Sequence, residues 1–258
     1  MTTVSHAEQM LQELGIGQPA EIDLEAIAYT LGAQVRYRPL DGCEARIIGS
    51  NGSAIITVNS RSSRMRQRFS IGHEIGHWRY HRGRILVCRP EDIGRSGDWS
   101  SLSPERIADG FAADLIMPWY LFLPRARQNP RLTFQVVRTL ADVFDVSPEA
   151  AAIRLIESRL YPSILVCHAA GGRKWFRASP EVPTRWFPQA ELDPDSYAFD
   201  ILFGTRPDDA APHKIGADAW FDSSEAQYYE IQEQTIRTGD RRILTLLTLN
   251  HSRMLEDR

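Results

Sequence analysis

Cysteine is scarce in this chain: Cys43, Cys88 and Cys167 are the three in 258 residues, and no two form a C-x-x-C pair. That excludes a disulfide framework and a cysteine-rich zinc site. Long apolar runs are missing too, and nothing approaches the length needed to cross a bilayer. The opening residues, MTTVSHAEQM, lack a basic head followed by an apolar stretch, so no signal peptide is expected and the reading is a soluble cytoplasmic protein. Nor is there an excess of basic charge. A formal net charge of −3 argues against a protein that coats nucleic acid. No internal repeat or low-complexity tract is seen. What remains is an ordinary globular composition, long enough to bury a sizeable core.

The chain opens with two short amphipathic helices. Met10, Leu11 and Leu14 fall on a helical spacing that stops at Gly15. Asp23 is placed to cap a second helix carrying Leu24, Ile27, Ala28 and Leu31. Three strand-like pieces follow at 34–39, 46–49 and 54–58, with Asn51-Gly52 as a hairpin signal between the last two. They predict a small antiparallel sheet. A central helix is expected from residues 60–63 to Gly83, then a loop over 90–102. Ser103-Pro104 is a helix start, followed by the apolar stripe Ile107, Ala108, Phe111, Ala112, Leu115 and Ile116. Two more helices over 132–160, split at residues 145–148, have helix-turn-helix spacing, but their charges nearly cancel, so direct DNA binding is not expected. Beyond Tyr161, strand-like runs at 163–167, 174–178, 197–203, 215–221 and 243–250 suggest a mixed sheet with a helix or two.

The chemistry is concentrated in residues 69–81, FSIGHEIGHWRYH, which contain H-E-x-x-H as His73, Glu74 and His77. On a helix, residues four apart share a face, so the two imidazoles can aim at one ion. Glu74 lies beside that ion, where a general base for an activated water belongs. Gly72 and Gly76 fall on the histidine face. Glycine in a helix costs roughly 1 kcal/mol relative to alanine, so their presence there implies close approach by another backbone or a substrate. Arginines at 61, 64, 66, 68, 79, 82, 84 and 89 make the neighbourhood basic, either as a solvated helix surface or as a docking face for an acidic partner.

A catalytic zinc site needs a third protein ligand and one open position. Two candidates present themselves. His81 lies four residues past His77, but three ligands on one straight helix span about 12 Å and cannot readily surround an ion. Glu105 opens a separate helix on the edge of its apolar stripe, where a buried carboxylate needs a partner. Asp109, one turn on, is placed to accept a ring N–H from a histidine ligand. Glu105 is therefore the favoured ligand. Tyr80, His81 and Tyr120 are candidates for oxyanion or substrate contacts.

H-E-x-x-H followed by a glutamate on a later helix resembles the arrangement of thermolysin-like zinc peptidases. Several segments in order resemble the ImmA/IrrE family of bacterial metallopeptidases: IDLEAIAYTLG (22–32), ITVN (56–59), RFSIGHEIGHWRYH (68–81), ERIADGFAADLIMP (105–118) and LADVFDVSPEAAAIRL (140–155). That resemblance covers residues 5–160 and implies a zinc-dependent endopeptidase that cleaves a helix-turn-helix repressor, inducing stress-response or mobile-element genes. It implies His73, His77 and Glu105 as metal ligands and Glu74 as the catalytic glutamate. Manganese is compatible with the same ligands. Asp109 stands where the family often has asparagine. The C-terminal part loosely resembles a GAF-like sensor domain.

The fold expected is α+β: a small antiparallel sheet on a helical zinc-peptidase core (residues 1–130), a helix-turn-helix-like segment (131–160) and a smaller, β-rich α/β domain (161–258). The rival function is a non-proteolytic metal-binding regulator that sequesters a repressor or binds DNA.

Overall fold

The computed structural model describes residues 4–81, 86–88, 103–239 and 241–256. It is mixed α and β, with two sheets, and divides into two compact units: Met1–Arg125 with Ala141–Ser147, and Ala126–Leu140 with Pro148–Arg258. No helix among the described residues is long and apolar enough to cross a membrane.

The first unit opens with α1 (His6–Glu13), which Ser5 and Glu8 close with a reciprocal capping box. Asp23 caps α2 (Leu24–Thr30), its carboxylate accepting from the Glu25 and Ala26 amides. Strands β1 (Ala33–Arg38), β2 (Ala45–Ser50), β3 (Ser53–Asn59) and β4 (Leu86–Cys88) form a sheet in the order β1-β3-β2-β4. Asn51 and Gly52, both at positive φ, make the β2–β3 hairpin. The sheet is not wholly antiparallel as expected: β1 runs parallel to β3. Six residues separate β1 from β2, too many for a tight hairpin, and β3 inserts between the two. Asn59 fixes that connection, exchanging side-chain bonds with the Leu40 backbone and donating to the Cys43 carbonyl.

Ser63 caps α3 (Arg64–Tyr80), its hydroxyl accepting from the Arg66 amide. This helix ends at Tyr80, not Gly83. His81 has left helical geometry at φ −126 and ψ 31, and residues 82–85 and 89–102, with the expected loop over 90–102, lie outside the described residues. One side of α3 packs on β2 and β3. There Trp78 lies so close to Gly49 that no side chain fits, and its indole donates to the Leu31 carbonyl at 2.8 Å. The opposite side meets α4 (Pro104–Ile116), which starts at Ser103-Pro104 as its sequence predicts. The arginines on the early turns of α3 pair with acids of the chain itself: Arg64 and Arg68 with Asp145, and Arg66 with Glu44. Then follow α5 (Trp119–Ala126), α6 (Phe134–Phe144) and α7 (Pro148–Glu157), so the two helices expected over 132–160 are present.

The second sheet contains β5 (Ser163–Ala169), β6 (Gly172–Ala178), β7 (His213–Gly216), β8 (Glu230–Thr238) and β9 (Arg242–Thr248), in the order β6-β5-β9-β8-β7. Every pairing is antiparallel, where the sequence suggests a mixed sheet. The run at 197–203 is a helix, α8 (Tyr197–Phe203), because Ser196 caps it by accepting from the Phe199 amide and its apolar face has a core to enter. β8 has no counterpart among the expected strands. Its middle reads Glu233-Gln234-Thr235, yet all three are buried and hydrogen-bonded.

Candidate metal centre

The site is assembled at the crossing of α3 and α4, and glycine sets how close the two helices come. A Cβ on Gly76 would lie 3.0 Å from Ala108 Cα, and one on Gly72 would lie 3.2 Å from Ala112 Cβ. The backbone that the two glycines admit is therefore α4. Because Glu105 lies one turn before Ala108, this contact carries its carboxylate to the histidine face of α3.

Three atoms converge there. His73 Nε2 and His77 Nε2 are 2.9 Å apart, and Glu105 Oε2 is 3.1 Å from the first and 3.4 Å from the second. Both imidazoles are buried, and Glu105 is about a quarter exposed. Among the described residues this is the one group of histidine, cysteine and carboxylate side chains close enough to share an ion. The geometry fits a divalent metal. Bonds of about 2.0–2.1 Å to nitrogen and oxygen give a tetrahedron with edges of about 3.3–3.4 Å, close to the triangle observed. The chemistry of the donors fits as well. His73 Nδ1 lies 2.9 Å from Asp109 Oδ1, so its N–H is committed to that carboxylate and its Nε2 can present a lone pair.

Without an ion, the same convergence binds a proton. Burial by itself pushes the His73 imidazole down, but the carboxylates of Asp109 and Glu105 overrule it and raise the group to about 9. Glu105 responds in the opposite sense. Burial favours its neutral form, yet the contacts with His73 and His77 hold the carboxyl at about 2. The triangle is thus built for positive charge. Glu74 is fully buried on α3, one residue after His73, and its charge also raises His73.

The remaining candidates fall into two places. Tyr80 and His81 border the site: the Tyr80 hydroxyl is 2.8 Å from His6 Nδ1, its ring packs edge-on against Phe111, and His81 Nδ1 is 3.1 Å from His77 Nδ1. Tyr120 is engaged elsewhere, its hydroxyl donating to the Ile16 carbonyl at 2.7 Å and its amide donating to Glu8. Sequence reasoning misses the His77–His81 contact. Its signal is the third histidine at the same four-residue interval.

Comparison with known proteins places the chain in a family. The family model Peptidase_M78, described as the IrrE N-terminal-like domain, matches residues 28–156, which include all three converging residues. The solved structure of a Mycobacterium tuberculosis transcriptional regulator superposes with a TM-score of 0.61 at 15% identity, covering 96% of this chain and 77% of that one. At that identity it speaks for the fold. No curated protein matches.

Proposed function

Because the chain belongs to the Peptidase_M78 family of IrrE N-terminal-like domains, we propose that it is a zinc-dependent endopeptidase that cleaves a helix-turn-helix transcriptional repressor and so induces stress-response or mobile-element genes. The observation that carries this reading is the convergence of His73, His77 and Glu105 beside Glu74.

His73 and His77 would hold zinc through their Nε2 atoms and Glu105 through Oε2, and manganese suits the same donors. A bound ion would supply Lewis acidity, polarising a scissile carbonyl and lowering the pKa of a water towards about 7. The chain's own residues do the rest. Glu74 takes the proton from the attacking water and delivers it to the leaving amine. Asp109 holds His73 in the tautomer whose Nε2 is free. Tyr80, at the border of the site and 40% exposed, is the side chain we assign to substrate contact. The C-terminal unit, an antiparallel five-stranded sheet with α8 packed on β8 and β9, is read as a GAF-like sensor that adjusts this activity.

A second reading is a non-proteolytic regulator that sequesters the repressor or binds DNA, and it is kept because the mycobacterial protein of similar fold is a transcriptional regulator. Glu74→Gln separates the two. Mixed with metal and the purified repressor encoded nearest its gene, the variant is expected to lose roughly 10²–10⁴-fold in cleavage rate while retaining the ion. Derepression without cleavage would establish the second reading instead.

A further inference from the structure

His73 and His77 are the same residue type in the same motif, yet their outward nitrogens meet different partners. His73 Nδ1 faces a carboxylate, Asp109, on α4. His77 Nδ1 faces another imidazole, His81 Nδ1, at 3.1 Å on its own helix. The backbone makes this possible. His81 is the C-cap of α3: its amide still donates to the His77 carbonyl at 2.8 Å, while its φ and ψ have left the helical region. Its ring is tilted at 58° to that of His77, with centroids 5.2 Å apart. Asp109, His73, His77 and His81 thus form one row, with the converging Nε2 atoms at its middle.

Only one arrangement of protons along that row leaves both Nε2 atoms able to bind an ion. A neutral imidazole carries one N–H. If His81 donated to His77, the single proton of His77 would sit on Nε2, pointing into the triangle with His73 and Glu105. If His77 donates to His81, its Nε2 lone pair is directed into the triangle. We infer that His81 is a positioning residue for the metal centre: its Nδ1 accepts the Nδ1–H of His77 and selects the tautomer in which His77 can bind the ion. The inference rests on the reading of this group as a metal site. It gives the third histidine of the row a role that is neither ligand nor substrate contact.

The test uses three substitutions of the full chain. His81→Phe keeps a ring but has no acceptor, His81→Ala removes both, and His81→Asn restores an acceptor, because its Oδ1 hangs from Cγ as the imidazole Nδ1 does. Zinc affinity is read by competition with a chromophoric chelator. Removing such a partner weakens metal binding by about 10–100-fold, expected here for the phenylalanine and alanine variants, with the asparagine variant recovering most of the loss. Phenylalanine and alanine variants that hold zinc as tightly as the unmodified chain would overturn the inference. Nitrogen-15 NMR of the zinc-loaded unmodified chain gives a second readout that needs no variant to fold. An unprotonated His81 Nδ1 accepting the proton of His77 Nδ1 is expected, and a proton carried by His81 Nδ1 itself rejects the assignment. Failure of the unmodified chain to bind zinc would sink the proposed function and this inference with it, whereas zinc binding with a protonated His81 Nδ1 would overturn the inference alone.

Discussion

Asp109 and Glu105 are carboxylates one turn apart on α4 that meet different nitrogens of the same histidine. Glu105 approaches Nε2 at 3.1 Å and Asp109 approaches Nδ1 at 2.9 Å. The first is available to an ion and the second fixes the ring. Asp109→Ala is therefore expected to weaken zinc binding by about 10–100-fold without eliminating it, as measured by equilibrium dialysis. The three converging residues are legible in the sequence because each has its own spacing: i and i+4 for the histidines, and a charged residue on the edge of an apolar stripe for Glu105. Tyr120 illustrates what is not legible. From the sequence it is a candidate for oxyanion or substrate contact, but its hydroxyl is spent on Ile16, more than a hundred residues away in sequence.

At the scale of elements, the two glycines of α3 determine how the site closes. Replacing either with alanine gains roughly 1 kcal/mol of helix propensity, which by itself would stabilise the chain. At Gly76 the new methyl meets the Ala108 backbone at 3.0 Å, so α4 must move by a few tenths of an ångström. Glu105 moves with it. Gly76→Ala is thus expected to lower zinc affinity by about tenfold or more, since ligand placement is the variable disturbed. Circular dichroism should still report a folded chain, and an unchanged affinity would mean the contact is not limiting. The helices α2, α3 and α4 are readable because each start carries its cap, Asp23, Ser63 or Ser103. β1 reads as antiparallel because nothing local in residues 39–44 announces that another strand will fill the gap. α8 and β8 escape sequence reading for a related reason. Tyr197–Phe203 has the aromatic content of a strand, and Glu230–Thr238 has the polarity of a surface, until the surrounding chain supplies a core and hydrogen-bond partners.

At the scale of the whole molecule, the family match ends at residue 156, before the second sheet begins at Ser163. That sheet has its own buried acid. Glu233 accepts from the Ala198 amide at 2.6 Å and from the Trp220 indole at 2.9 Å, and burial raises its carboxyl from 4.5 to about 7 despite those bonds. The native state therefore binds more protons than the unfolded chain between these values, so this group's contribution makes stability fall as pH rises from about 4.5 through 7. The full difference is on the order of 3 kcal/mol. Denaturant unfolding between pH 4 and 8 should show a decline that Glu233→Gln reduces, and a variant with the parent's slope would rule this group out as its source.

Everything proposed for the first unit depends on one ion being held by two helices, and Glu105 is the one of the three converging residues that α4 provides. The direct measurement is metal content by mass spectrometry after purification and zinc loading, for the unmodified chain and for Glu105→Ala. One ion per chain is predicted for the first and little or none for the second after dialysis. An alanine variant that keeps its ion with undiminished affinity would contradict the account.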